Sequence, residues 1–202
     1  IEEVKPYFSD ITEERYYQLR DEFNSLNPGE FKRSLLFLFL NKFAFNGICR
    51  YNSKGKFNVP YSKKSTQNVP ENNIRQFSRK FNKQKITLFN VSFDDEQLYA
   101  NLKEGDVVYF DPPYLCAKNY STGFTAYTKD GFTYNQHLQI KNISIGLREK
   151  NVKCIISNHD TEETRQLYKD ADNIFSITKG RYLSAKKENR MKVEEILAVY
   201  NP

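Results

Sequence analysis

Asp111-Pro112-Pro113-Tyr114 follows directly on an apolar run, Asp106-Val107-Val108-Tyr109-Phe110, that reads as a buried strand. Ligands of doubly wound sheets bind at the carboxyl ends of the strands, so an acid in that place is positioned for chemistry. Two successive prolines fix φ and remove two N–H donors, leaving the backbone carbonyls beside Asp111 free to accept. The ionised Asp111 is an acceptor only, and Tyr114 offers a ring face. Together these groups suit the exocyclic amine of adenine or cytosine, a poor nucleophile because its lone pair is delocalised into the ring. The Asp111 carboxylate and the Pro112 carbonyl each take one N–H, favouring a tetrahedral nitrogen that attacks an electrophilic methyl while Tyr114 stacks on the base. No covalent intermediate on the protein is required.

Other constellations carry less. Ser157-Asn158-His159-Asp160 contains the residue types of a hydrolytic triad, but they are adjacent in sequence and no Ser sits on a nucleophile elbow, so strand-end structure is expected. Cys49, Cys116 and Cys154, with His137 and His159, have neither disulfide-framework nor zinc spacing, and a reducing cytoplasm is the simplest compartment. Cys116 follows Leu115 rather than Pro, unlike a cytosine-C5 nucleophile loop. The longest apolar run, Leu35 to Leu40, falls far short of the roughly 18 residues of a membrane span. The chain opens Ile1-Glu2-Glu3 without an initiator Met or signal pattern, so translation is expected to begin upstream.

Charge locates a partner. The 202 residues have a net charge of +6, with 31 Lys and Arg against 25 Asp and Glu. Residues 1 to 30 hold eight acids and three bases; residues 31 to 90 hold thirteen bases and the single acid Glu71; the remainder is nearly balanced. A block so one-sided repels itself unless a polyanion lies near, which points to nucleic acid.

The elements that position these residues follow from periodicity. A helix is expected from the N-cap Thr12 through Tyr16, Leu19 and Phe23, ended by Asn27-Pro28-Gly29. A second runs from Glu30 through Phe43, apolar on most of its circumference and so mostly buried. Ile48 to Asn52 and Lys56 to Val59 read as two short strands of a β-hairpin around Gly55, with one face too hydrophilic for a core. Asn73 to Lys83 reads as a basic helix. Beyond it the pattern becomes α/β: strands at Ile86–Phe89, Asp106–Phe110, Val152–Ser157, Asn173–Thr178 and Glu194–Tyr200, helices at Asp94–Leu102, Thr133–Lys150 and Glu162–Tyr168. That alternation predicts an open, mostly parallel sheet with an antiparallel C-terminal hairpin. The basic stretch Lys179 to Lys192 between the last two strands reads as a solvated loop.

Six blocks in order resemble the Dam-type DNA adenine-N6 methyltransferases, which use S-adenosylmethionine and act at G-A-T-C. They are Asn41 to Asn52, Gly55 to Pro60, Asp111 to Tyr114, Phe124-Thr125-Ala126-Tyr127, Ile156 to Asp160 and Lys192 to Tyr200. The resemblance implies a methyltransferase-like, Rossmann-related fold with an inserted helical target-recognition domain (residues 1–85, hairpin 47–60) ahead of the C-terminal part of a catalytic domain (residues 86–202). It implies double-stranded DNA as partner and S-adenosylmethionine as methyl donor. Phe45 is the wedge pushed into the duplex, and Asn46 fills the space left by the flipped adenine. Arg50 reads guanine, Ile48 and Pro60 touch the thymine side, and Lys42, Asn52, Asn58 and Lys63 contact phosphate or sugar. Asp111, Pro112, Pro113 and Tyr114 form the catalytic pocket, with Asp111 also facing the donor. The residues agree on their own terms: an N6 amine inside a duplex is out of reach, so its base must be flipped, and the chain supplies an aromatic wedge, a cationic hairpin and a stacking ring.

The family's donor pocket also uses a Gly-rich Phe-x-Gly-x-Gly loop, an acid after the second strand and an aromatic-Lys segment, all ahead of the recognition region. The eight glycines of this chain never reach G-x-G spacing, so the N-terminal part of the sheet is expected to lie outside it. A DNA-binding module without methyl transfer, and a cytosine-N4 methyltransferase sharing the chemistry at Asp111, are the alternatives.

Overall fold

Thr12 caps helix α1 (Glu13–Ser25), its hydroxyl accepting from the Arg15 N–H at 3.1 Å. This belongs to a computed structural model that describes residues 1–64, 66–115, 132–180 and 192–202. The chain divides into two compact units, Ile1–Leu88 and Phe89–Pro202.

In the first unit, Tyr16, Leu19 and Phe23 of α1 meet Leu36, Phe39, Leu40 and Phe43 of α2 (Phe31–Phe43) in a core completed by Phe57 and Val59. Buried rings dominate it, with Phe39 and Phe43 at 4.8 Å between centroids. The second helix is not buried on most of its circumference as expected. Phe31 and Phe37 are exposed, because α1 and the hairpin cover only one of its sides.

The hairpin forms, but not as two strands. Asn52 N–H donates to the Lys56 carbonyl at 2.9 Å and Asn58 N–H to the Arg50 carbonyl at 3.1 Å, with Tyr51 opposite Phe57 as an isolated bridge. Side chains of α1 satisfy what a third strand would have. The Asn24 amide donates to the Phe57 carbonyl at 3.0 Å and accepts from the Phe57 N–H at 2.7 Å, and the buried Tyr16 hydroxyl donates to the Val59 carbonyl at 2.9 Å. The basic helix α3 (Glu71–Lys83) follows with no buried residue; its Phe77 is exposed and pairs with Phe81 at 5.6 Å.

In the second unit, strands β1 (Val107–Phe110), β2 (Lys153–His159), β3 (Asn173–Gly180) and β4 (Lys192–Tyr200) form one sheet in the order β1-β2-β4-β3. Helix α4 (Tyr134–Arg148) lies between β1 and β2 in sequence, and α5 (Glu162–Leu167) between β2 and β3. Both carry capping boxes, Thr133 with Gln136 and Thr161 with Thr164. Their apolar side chains Ile140, Leu147 and Leu167 pack with Phe110, Cys154, Ile156, Ile196, Ala198 and Tyr200.

Several expectations change here. Among the described residues the sheet is not mostly parallel: β1–β2 is parallel, but β2–β4 and β4–β3 are antiparallel. Returning by a hairpin places β4 between β2 and β3, so its direction fixes two antiparallel pairs. Ile86 to Phe89 is not a strand; it pairs with none of the four, and Leu88 is 77% exposed. Helix Asp94–Leu102 shrinks to a single 3₁₀ turn, Glu96–Leu98, capped by Asp95. Strand β1 is not buried on both faces, since Val107 and Tyr109 are 58% and 56% exposed. Register explains this. Val107 and Tyr109 stand beside Lys153 and Ile155; Ile155 continues through Val199 to Asn173, and Ser157, next on that face, through Leu197 to Phe175, the face opposite the one that α4 and α5 pack against. Phe124 to Tyr127, Cys116 and most of the basic stretch 179–192 lie outside the described residues.

The side-chain clamp on the hairpin is testable. Asn24→Ala removes both hydrogen bonds to Phe57 and is expected to cost about 1–3 kcal/mol, read as a lower denaturant midpoint. Asn24→Asp, which keeps only the acceptor, should fall between; an unmoved midpoint for Asn24→Ala would show that water replaces the clamp.

Candidate functional site

Two sets of residues are placed, one in each unit. In the first, the chain leaves α2 at Ala44 into a 3₁₀ turn, Phe45–Gly47, in which Phe45 N–H donates to the Pro60 carbonyl at 2.9 Å. Asn46 and Gly47 adopt φ of 54° and 64°, the left-handed region. A Cβ on Gly47 would lie 3.3 Å from the Asn41 carbonyl, so the position needs glycine both for conformation and for space. The turn leaves the Phe45 ring 43% exposed at a helix end, while Ile48 packs partly on the core.

Arg50 is held rather than loose. Its Nε donates to Asn58 Oδ1 at 2.8 Å and its Nη2 to the Asn58 carbonyl at 3.3 Å. One edge of the guanidinium is thus engaged, and the planar fork still presents Nη1 and the outer proton of Nη2. Asn52 accepts from the N–H groups of Lys54 and Lys56 at 2.9 and 3.0 Å, which shapes the hairpin tip. The side-chain oxygens of Asn52 and Asn58 therefore serve the hairpin itself. Pro60 and Lys63 are exposed and Lys42 half-exposed.

In the second unit, Asp111 emerges one residue past β1, exposed, with Pro112 buried and Pro113, Tyr114 and Leu115 half-buried. Ser157 Oγ lies 2.7 Å from Asp111 Oδ1 and 3.3 Å from the Phe110 carbonyl. Its single proton goes to the nearer, charged oxygen. The Tyr114 ring meets His159 edge-on at 5.0 Å, and its hydroxyl faces Glu195 Oε2 at 3.4 Å. Burial, opposed by a hydrogen bond with Ser157 and aided by the Glu195 and Asp111 charges, pushes the Tyr114 phenol up to about 12, so the ring is neutral.

Asn158, fully buried, ties the end of the loop. Its Oδ1 accepts from the N–H groups of Leu115 at 3.0 Å and His159 at 2.9 Å. Its amide nitrogen donates to the Tyr168 hydroxyl at 3.3 Å, which in turn stands 3.2 Å from His137 Nδ1. That chain of donors makes Nδ1 the acceptor and puts the imidazole proton on Nε2, a buried atom with no hydrogen-bond partner among the described residues. Burial lowers the His137 pKa to about 4, against a smaller opposing pull from the Pro113 backbone. Asp160 takes no part in a triad; both its oxygens accept from Arg165, at 2.5 and 2.7 Å, and it also meets Ser176.

His137 and Tyr168 carried no signal in the sequence, since buried polar partners are set by tertiary packing. The role of Ser157 was readable in principle: the parallel register pairs Phe110 with Ile156, so the next residues on the two strands, Asp111 and Ser157, fall side by side.

The second unit thus presents an Asp-Pro-Pro-Tyr loop at the carboxyl end of a strand in a mixed sheet. The chain belongs to the D12 class of N6 adenine-specific DNA methyltransferases, whose family model matches residues 1–185. It is 38% identical to the DNA adenine methylase of Escherichia coli K12 over 189 residues, 94% of this chain and 66% of that protein. It is 36% identical to the DNA adenine methylase of Haemophilus influenzae over 204 residues, covering 99% and 69% of the two chains. With that of Vibrio cholerae O1 it shares 35% over 205 residues, 100% and 72%. The chain thus spans about two thirds of the length of these relatives. None of the described helices is long and apolar enough to cross a membrane.

The buried histidine sets an acid limit on stability. His137 takes a proton near pH 6.5 when unfolded but only near 4 when folded, so its contribution is whole above pH 6.5 and drains as pH falls toward 4. Between pH 7 and 5 the loss is about 2 kcal/mol, above the range where carboxylates titrate. Denaturant unfolding at the two pH values should show that loss in the wild type and much less of it in His137→Gln; equal slopes would remove His137 as the cause.

Proposed function

We propose that the protein to which this chain belongs transfers a methyl group from S-adenosylmethionine to adenine N6 in double-stranded DNA at G-A-T-C, after flipping the adenine out of the duplex. The observation that carries this reading is Asp111, exposed at the carboxyl end of β1 with Oδ1 engaged by Ser157, in a member of an N6-adenine family.

The bound donor supplies an electrophilic methyl on a sulfonium. This chain's residues prepare the nucleophile. Asp111 accepts one amine N–H on Oδ2 and the Pro112 carbonyl accepts the other, drawing the nitrogen lone pair out of conjugation with the ring. Tyr114, neutral and pinned by His159 and Glu195, is the stacking surface for the flipped base. With the donor bound, its S–C bond would break as the new N–C bond forms, and Asp111 would pass the nitrogen's surplus proton to solvent. Of the donor-facing groups, Asp111 is the one assigned within these residues, and its exposed carboxylate at the strand end suits that place.

The hairpin is the reading head. Phe45 wedges into the duplex from its strained turn, with Asn46 beside it, and Ile48 and Pro60 make the apolar contacts to the thymine side. Arg50, its side edge fixed by Asn58, offers the remaining fork to guanine O6 and N7. Lys42, Lys63 and the free amides of Asn52 and Asn58 face phosphate or sugar.

Labelled methyl transfer by the full-length protein should be confined to a G-A-T-C duplex and absent from one carrying G-T-T-C on both strands. The product should be N6-methyladenine; N4-methylcytosine would instead favour the cytosine alternative, and DNA binding without transfer would leave a binding module. Asp111→Ala is expected to abolish transfer while sparing DNA affinity; unchanged turnover would remove Asp111 from the chemistry. Arg50→Ala should cost about 1–3 kcal/mol at one guanine. A uniform loss on every sequence would make it a phosphate contact.

A further inference from the structure

We infer that Ser157 is a positioning residue for Asp111: it fixes Oδ1 of the carboxylate so that Oδ2 is the oxygen presented to the amine. The inference rests on the reading of Asp111 given under the proposed function and adds to it the group that orients the acid.

Three observations converge. The parallel register ends with Phe110 opposite Ile156, so Ser157 is the β2 side chain that falls next to Asp111. Ser157 is only 1% exposed, and a buried hydroxyl needs a partner within the protein. Its nearest partner is the carboxylate oxygen at 2.7 Å; the Phe110 carbonyl, at 3.3 Å, is a weaker alternative, and the Tyr114 phenol is a further neighbour of the hydroxyl. Ser144 supplies the contrast. It is equally buried but donates to the Ile140 carbonyl of its own helix at 2.9 Å, a hydroxyl satisfied by local backbone with no charged group involved.

An exposed carboxylate with both oxygens free rotates about its last torsion, and either oxygen then accepts from water. Engaging one oxygen by a buried donor removes that freedom and commits the other to a single direction. The gain belongs to orientation of the reacting pair, not to substrate binding, so its loss lowers the chemical rate and leaves affinity alone.

The test is single-turnover methyl transfer by the full-length protein, with enzyme in excess over a G-A-T-C duplex, for wild type, Ser157→Ala, Ser157→Thr and Asp111→Ala. Ser157→Ala is expected to slow transfer on the order of 10–100-fold while the dissociation constants for duplex and for S-adenosylmethionine stay within about twofold. Ser157→Thr, which keeps the hydroxyl on a strand-compatible side chain, should recover most of the rate. A wild-type rate in Ser157→Ala overturns the inference, as do equal losses in the Ala and Thr variants, since packing rather than the hydroxyl would then set the rate. A loss of affinity in Ser157→Ala that matches its loss of rate overturns it too. Asp111→Ala separates this from the underlying reading: if that variant still transfers, the assignment of Asp111 fails, whereas if it is dead and Ser157→Ala is unimpaired, only the role of Ser157 fails.

Discussion

The parallel pairing of β1 with β2 is the constraint on which the candidate catalytic loop depends. Phe110 and Ile156 are the last parallel partners; β1 ends there while β2 runs on to His159 against β4, so the chain leaving β1 passes alongside the last three residues of β2. Asp111 and Ser157 face each other there; one residue on, Asn158 reaches under the loop to the Leu115 N–H, and His159 meets Tyr114. Three consecutive residues of a single strand thus hold the start, the end and the ring of the motif. The hydrogen bonds concerned are mostly to backbone or to a carboxylate, the kinds that fix geometry most firmly.

Beneath this edge lies a polar interior that is unusual for a sheet packed on helices. His137, Asn158, Ser157 and Thr164 are all fully buried, with partners in Tyr168, the Leu115 N–H, Asp111 and the His159 carbonyl respectively, although His137 Nε2 has none among the described residues. Such a network costs solvation and returns it only when complete, so it specifies one arrangement of the loop above it. Neutral His137 belongs to that logic, since a proton on Nδ1 would set it against the Tyr168 hydroxyl and the Asn158 amide.

Much of this was readable from residue order. The N-cap Thr12, the punctuation at Asn27-Pro28-Gly29, the helical spacing in α1 and α2, and the position of Asp111 after an apolar run are local signals, and local signals survive translation into structure. What failed was non-local. Ile86 to Phe89 has strand composition, but a strand exists only with a neighbour to pair it, and composition does not supply one. Val107 and Tyr109 look like interior residues by letter and are exposed, because burial depends on what covers a face. The parallel character of the sheet was overestimated for the same reason: alternation of helix and strand says that elements alternate, not that the last strand inserts between two earlier ones. At the candidate site, the residues named by motif were legible in the sequence, whereas Asn24, His137 and Tyr168, which hold their surroundings, lie far away in sequence and carry no pattern of their own.

The grip of α1 on the hairpin has a further consequence. Asn24 and Tyr16 hold Phe57 and Val59 through main-chain N–H and C=O groups that every residue except proline possesses in full. The outward positions between and opposite them, Arg50, Asn58 and Pro60, take no part in that attachment. The grip and the outward surface are therefore encoded by different residues. A lineage bearing this hairpin is free to exchange those side chains without rebuilding the grip of α1, with Arg50 and Asn58, bonded to each other, changing together.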